Sequence, residues 1–216
     1  MKLVIFGATG NVGRRVAAEA LRRGHDVVGV VRDPEAVSAP DPRVRLVKGD
    51  ATRADDVAAA AAGADAVVSA ISPRPNARGL PAPSLAANAK ALIAGLRDAH
   101  VRRVLYVGGA SSLEVAPGKA LADMPDFPEA YRAEAREGRD ALALWREQGK
   151  GLEWTYLSPA AEIGPGDRTG HYRTTDDTLL LDAKGRSFIS FEDYAVAVLD
   201  ELEDAQHIGR RFGVAY

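Results

Sequence analysis

A short apolar run, Leu3 to Phe6, leads into Gly7-Ala8-Thr9-Gly10-Asn11-Val12-Gly13, and a helical pattern then continues to about Arg23 before Gly24. Strand, glycine turn and helix in that order leave few folds open. A Cβ at any of the three glycines would obstruct the tight turn, the approach of a ligand to the backbone, or the crossing of helix over strand. The same turn points the bare amides of a helix N-terminus outward, which is how a pyrophosphate is received. Thr9 and Asn11 add hydrogen-bonding groups, and Val12 supplies a further first-turn amide. The plainer reading, a tight structural turn, is the weaker one because the pattern opens a βαβ unit.

Downstream, β-branched runs alternate with Ala-, Leu- and Arg-rich stretches of helical period, the pattern of a parallel sheet covered on both faces. Strands are predicted at Leu3–Phe6, Asp26–Val31, Val44–Lys48, Ala66–Ala70, Val104–Val107, Trp154–Leu157 and Arg211–Val214, and helices at Asn11–Arg23, Asp55–Ala61, Leu85–Ala99, Pro128–Gln148 and Asp193–Glu203. Asp33 stands where it would cap a helix opened by Pro34. The stripe Leu142, Leu144 and Trp145 reads as core, and the proline-rich stretches, Pro73 to Pro83 and Pro117 to Pro125, read as loops. The fold class expected is α/β: a doubly wound, Rossmann-type parallel sheet in a single domain over 1–216. Gly164-Pro165-Gly166 and Gly170 break the pattern, so residues 158–190 are expected to form a substrate-side insertion.

Composition narrows the function. The formal net charge is −2 over 216 residues, leaving no basic excess for nucleic acid and no basic run for a membrane surface. There is no cysteine, which excludes thiolate chemistry and disulfides and fits a cytoplasmic location. The four histidines lie far apart, so no metal is expected. A small-molecule substrate, on a monomer or homodimer, is the partner expected.

The strand ends hold the remaining clues. Arg32 follows the second strand, where arginine accommodates an adenosine 2′-phosphate and a carboxylate would instead bind the ribose hydroxyl. NADP(H) is thereby preferred over NAD(H), against the alternative of a solvated surface arginine. After the third strand, Asp50 and Ala51 either face the adenine or form a turn, with Asp50 as its N-cap. After the fourth, the small residues Ala70, Ile71 and Ser72 would let a dinucleotide lie against the backbone. After the sixth, Pro159 and Ala160 lead a segment to Ile163 that either orients the nicotinamide or forms a structural turn.

These residues resemble the atypical short-chain dehydrogenase/reductase superfamily, in its NmrA-like and NADH-flavin reductase-like branch, which is similar to biliverdin reductase B. The motifs carrying the likeness are Gly7–Gly13, Val31-Arg-Asp-Pro34, Gly49-Asp50, Val107-Gly-Gly-Ala-Ser-Ser112, Trp154–Pro159 and Ile189–Ala195, so it spans nearly the whole chain. The resemblance implies an NAD(P)-binding oxidoreductase and a supporting role for Asn88, which could equally be an exposed helical residue. It also implies a serine at the fifth strand end and a Tyr-x-x-x-Lys helix. Here that strand ends in Gly108-Gly109, and Tyr131 is followed by Ala135 where lysine would stand. Without the lysine that lowers a tyrosine pKa, the chemistry expected is NADPH-dependent reduction of a flavin, quinone or similar planar acceptor. A non-catalytic NADP(H) sensor is the alternative, and a nucleotide-sugar epimerase or dehydratase stands third. Proton-donor candidates are Ser111, Ser112, Tyr131 and His171. Each has a plainer role: turn caps for the serines, helix packing for Tyr131, a solvated loop for His171.

Overall fold

The computed structural model describes residues 1–74 and 83–216. In chain order the first half comprises β1 (Lys2–Phe6), α1 (Asn11–Arg22), β2 (Asp26–Val31), β3 (Arg45–Lys48), α2 (Ala54–Ala61), β4 (Ala66–Ser69), α3 (Leu85–Asp98) and β5 (Arg103–Val107). The second half comprises the hairpin β6 (Glu114–Ala116) and β7 (Lys119–Ala120), then α4 (Arg132–Gln148), β8 (Glu153–Ser158), β9 (Glu162–Gly164), β10 (Arg173–Thr175), β11 (Phe188–Ser190), α5 (Phe191–Glu203) and β12 (Arg210–Ala215).

Eight strands form one sheet in the order β10-β12-β8-β5-β4-β1-β2-β3, parallel throughout except for β10 at one edge. Strand alternation divides β1 between two cores. Leu3 and Ile5 pack with α1 and α5, whereas Val4 and Phe6 join α2, α3 and α4 with Tyr106, Trp145 and Tyr156. Because β1 has β2 on one side and β4 on the other, the strand order reverses across it, and the carboxyl ends of these strands form the switch point where such sheets take their ligands. The Rossmann-type α/β architecture expected from the sequence is the one observed.

Element boundaries fall within a few residues of the sequence expectations. The helix expected at Pro34 does not form; Glu35 and Ala36 lie in a turn. The reason is length: Pro40 rejects helix for itself and disfavours it for Ala39, so too few residues remain to nucleate one. The Pro128 start is also late, since a 3-10 turn over Glu129–Tyr131 precedes α4. Pro75 and Pro81 of the proline-rich stretch lie outside the described residues. The insertion contains β9 and β11, which pair in parallel, and β10. Runs of three residues are too short to show a period.

Two polar devices fix the faces of the sheet. Asn88, fully buried on α3, accepts from Ser69 Oγ at 2.8 Å and donates to the Ala51 carbonyl at 2.8 Å, bracing the ends of β4 and β3 together. On the other face, α1 and α5 run side by side, joined by Arg15–Glu192 at 2.9 Å and by Arg23 to Asp200 at 2.8 Å and Glu203 at 2.6 Å. Glu19 is buried there and accepts from Arg23 at 2.8 Å and from two nitrogens of Arg168 at 2.8 Å each, which fastens the insertion to α1. The Arg168 hydrogen bonds, with those of Arg23, outweigh burial and hold the Glu19 carboxyl down at about 2.

Two outcomes follow from these devices. Replacing Asn88 by leucine strands a buried carbonyl and hydroxyl and is expected to cost about 2–4 kcal/mol in urea unfolding. Glu19 titrates lower in the folded state than in the unfolded chain, so its stabilisation is complete above the unfolded value and is lost as pH falls through the folded one. Glu19→Gln should therefore be less stable than wild type by roughly 2 kcal/mol near neutral pH. That gap should shrink between about pH 4.5 and about pH 2; a gap independent of pH would show that the carboxylate charge is not what matters.

Candidate cofactor and substrate cleft

Helix termini leave amides unpaired, and two of the five helices are capped by a serine side chain. At α3, Ser84 accepts from the Ala87 amide and Glu137 from the Leu85 amide at 2.8 Å. At α5, Ser190 accepts from Asp193, with Glu192 and Asp193 in the first turn. Acidic residues also occupy the first turns of α2 (Asp55, Asp56) and α4 (Glu134). Helix α1 differs from the other four: its N-cap is Gly10, with no side-chain cap and no acidic residue in the first turn. Its amides and the positive end of its dipole are left for an external anion.

The glycines fit that use. Gly7 has φ +83°, and a Cβ there would lie 2.6 Å from the Ala70 carbonyl oxygen; at Gly13 it would lie 2.1 Å from the Gly7 oxygen. The first clash brings the turn against the end of β4, and the second lets α1 cross directly above the turn. Thr9, Gly10 and Asn11 are exposed at this edge, Val12 is half-buried and Gly13 is buried. A diphosphate fits a cradle of this kind.

The flanking strand ends complete the crevice. Arg32 is exposed at the end of β2. Asp50 holds a turn, accepting from the Thr52 amide at 2.9 Å and hydroxyl at 2.7 Å, while its own amide donates to Asp56 at 2.8 Å. Burial raises its carboxyl pKa, but the Thr52 hydrogen bonds and the nearby Arg32 and Arg53 charges bring the net shift below the ordinary value. Of the two roles open to Asp50, the turn is thus visible in the hydrogen bonds. Ala51 is buried against Asn88. Asn88 itself is not the exposed helical residue that the sequence left open. Ala70 donates its amide to the Phe6 carbonyl at 2.9 Å, Ile71 lies against the glycine turn, and Ser72 is exposed. Pro159 and Ala160 are buried beyond β8, and the next amide, Ala161, donates to Ser187 at 3.0 Å.

The four proton-donor candidates are not brought together. Ser112 accepts from Arg211 at 3.0 Å, and that guanidinium is also paired with Asp177, so Ser112 secures the loop after β5 to β12. Ser111 lies beside Gly138 of α4 and is half-buried. Tyr131 does not pack into the helix core: it is 47 % exposed, with the Arg74 guanidinium 5.2 Å from its ring centroid. His171 is exposed in the insertion, where its amide donates to Thr169 at 3.1 Å.

Sequence reasoning did not single out Tyr156. Its ring lies so close to Gly108 that a Cβ there would be 2.0 Å from it, and its hydroxyl donates to the Gly138 carbonyl at 3.1 Å. Burial pushes this phenol up to about 12, which keeps it neutral. The strand end is therefore glycine for a steric reason, because a serine in that place would collide with an aromatic ring. The signal was present as the pair Gly108 and Tyr156, but only the register of β5 against β8 brings them together.

Among the described residues, no cluster of side chains could hold a metal ion, and no helix is long and apolar enough to cross a membrane. A cleft of about 640 Å³ opens between α4 and the β6–β7 hairpin; none of its lining residues comes from the glycine turn.

Several solved structures share the whole chain's fold. A Burkholderia pseudomallei protein, provisionally described as exported, is 44 % identical with a TM-score of 0.88, all of both chains being covered. A Bacteroides thetaiotaomicron protein, provisionally described as an epimerase, is 38 % identical with a TM-score of 0.88, covering 100 % of this chain and 96 % of the other. A Streptococcus pneumoniae protein, provisionally described as an NADH-flavin reductase, is 33 % identical with a TM-score of 0.83, covering 100 % and 99 %. Their descriptions diverge in activity, and they do not single out biliverdin reductase B. A family model described as NAD(P)H-binding matches residues 7–205. With that match over most of its length, the chain belongs to the NAD(P)H-binding family and takes NAD(P)H as its cofactor.

Proposed function

We propose that the protein is an NADPH-dependent reductase of a flavin, quinone or similar small planar acceptor. The observation that carries this reading is the end of β5, where Gly108 supports a buried, neutral Tyr156 and α4 offers buried Ala135 in the lysine position. A carbonyl or alcohol substrate needs a placed acid or base, whereas a flavin or quinone accepts hydride with little help.

The uncapped amides of α1 hold the diphosphate, and Arg32 receives the 2′-phosphate. The backbone at Ala70–Ser72 lies along the dinucleotide, with Pro159 and Ala160 beside the ring. When bound there, NADPH would supply the hydride and solvent the proton, so that NADPH, a proton and an oxidised flavin would become NADP+ and reduced flavin. The description of the Streptococcus relative supports the flavin acceptor of this reading, while naming NADH as the coenzyme. Epimerase chemistry, suggested by the Bacteroides relative, calls for the acid/base pair that is missing here. The missing pair also favours a second reading, a sensor that binds NADP(H) and changes its protein contacts without turnover.

The two separate in one assay. Mixed with NADPH and FMN, riboflavin or a quinone, the protein is expected to consume reduced nicotinamide with at least one acceptor. Tight NADPH binding by calorimetry with no consumption in any mixture would select the sensor. For the phosphate contact, Arg32→Ala should weaken NADPH about tenfold or more, the worth of a charge-assisted hydrogen bond, and leave NADH unchanged. Equal losses for both coenzymes would remove Arg32 from the 2′-phosphate.

A further inference from the structure

Tyr131 is the one large aromatic side chain exposed at the substrate end of α4, and it is not alone. Arg74, on the extension of β4, places its guanidinium 5.2 Å from the Tyr131 ring centroid and pairs through Nε with Glu134 at 2.8 Å. The arginine and tyrosine side chains are 59 % and 47 % exposed. Exposed aromatic surface costs free energy unless something covers it, and the ion pair holds Arg74 in place without burying it. The location matters as much as the pairing. Ile71, three residues before Arg74, lies against the glycine turn, and three residues of chain reach at most about 11 Å. The Arg74 backbone therefore lies within about 11 Å of Ile71, on the same strand-end segment that flanks the glycine turn.

We infer that Tyr131 and Arg74 form the acceptor subsite, in which the phenol ring stacks on a planar heteroaromatic acceptor and the guanidinium selects one bearing an anionic group, such as a flavin phosphate. This rests on the reductase reading and assigns its substrate class. Stacking gives Tyr131 a use that needs no lowered pKa and no lysine at Ala135, because a ring face binds whether or not its hydroxyl moves a proton. Glu134 moderates the charge of Arg74 and so sets how strongly the phosphate is preferred.

The test reads flavin binding apart from turnover, by quenching of flavin fluorescence on protein saturated with NADP+. Wild type is expected to bind FMN more tightly than riboflavin. Tyr131→Ala should weaken both about tenfold, while Tyr131→Phe keeps wild-type affinity. Arg74→Ala should remove much of the FMN preference with little effect on riboflavin, and Glu134→Gln should enlarge it. NADP+ affinity, measured by calorimetry, should be unchanged in all four variants, which also reports that they are folded. Equal binding of FMN and riboflavin by wild type, or no effect of Tyr131→Ala, would overturn the subsite. So would a loss in Tyr131→Phe as large as in Tyr131→Ala, since that would make the hydroxyl the binding group. Flavin bound as expected with neither flavin nor quinone reduced by NADPH would overturn the reductase reading and leave the subsite standing; turnover of a quinone without flavin binding would do the reverse.

Discussion

The molecule is organised around one unsatisfied helix end. Helices α3 and α5 are capped by serine, α2 and α4 carry acidic residues in their first turns, and α1 has neither. Exposed first-turn amides with no side-chain cap and no acidic neighbour are held by water in the free protein and stay open to an anion from outside. The glycines at 7 and 13 serve the same end, since they let the turn and the helix come so close that the amides converge. Much of the remaining structure holds this feature at the carboxyl edge of the sheet: β1 at the reversal of strand order, α5 alongside α1, and the insertion pinned to α1 through Glu19 and Arg168.

The strand ends around the turn are braced rather than loosely looped. Asn88 reaches from α3 to both Ser69 and Ala51, so the walls contributed by β4 and β3 share one buried amide. Arg15 joins Glu192, whose other oxygen accepts from the Gly166 amide at 3.0 Å, so the starts of α1 and α5 and the insertion meet at one ion pair. A cleft bordered this way changes shape little when a ligand enters, which reduces the ordering cost of binding.

The fold was largely legible because its signals are local. Glycine spacing, strand alternation and helical period are read within windows of ten or so residues, and the sheet followed from them. What escaped depended on partners distant in sequence. The short strands β9 and β11 have no period of their own and exist through each other. Tyr131 looked like helix core because it sits at helical spacing, yet the chain enters α4 through a 3-10 turn that rotates it outward. Ser112 looked like a loop hydroxyl near the chemistry, and Arg211, nearly a hundred residues later, takes it for a structural bond. Asp50 stayed open between adenine contact and turn until its hydrogen bonds with Thr52 were seen, and the tyrosine covering Gly108 became visible only once β5 and β8 were in register.

That last pairing makes residues 108 and 156 a single steric unit. A hydroxyl-bearing side chain at the end of β5 demands that the aromatic ring opposite shrink, and shrinking it removes packing against Tyr106 in the core under α4. Neither change is tolerable before the other. A lineage that acquired this tyrosine would thus be separated from carbonyl-reducing relatives by a coupled double replacement in a packed interior, a far higher barrier than the gain or loss of one surface lysine.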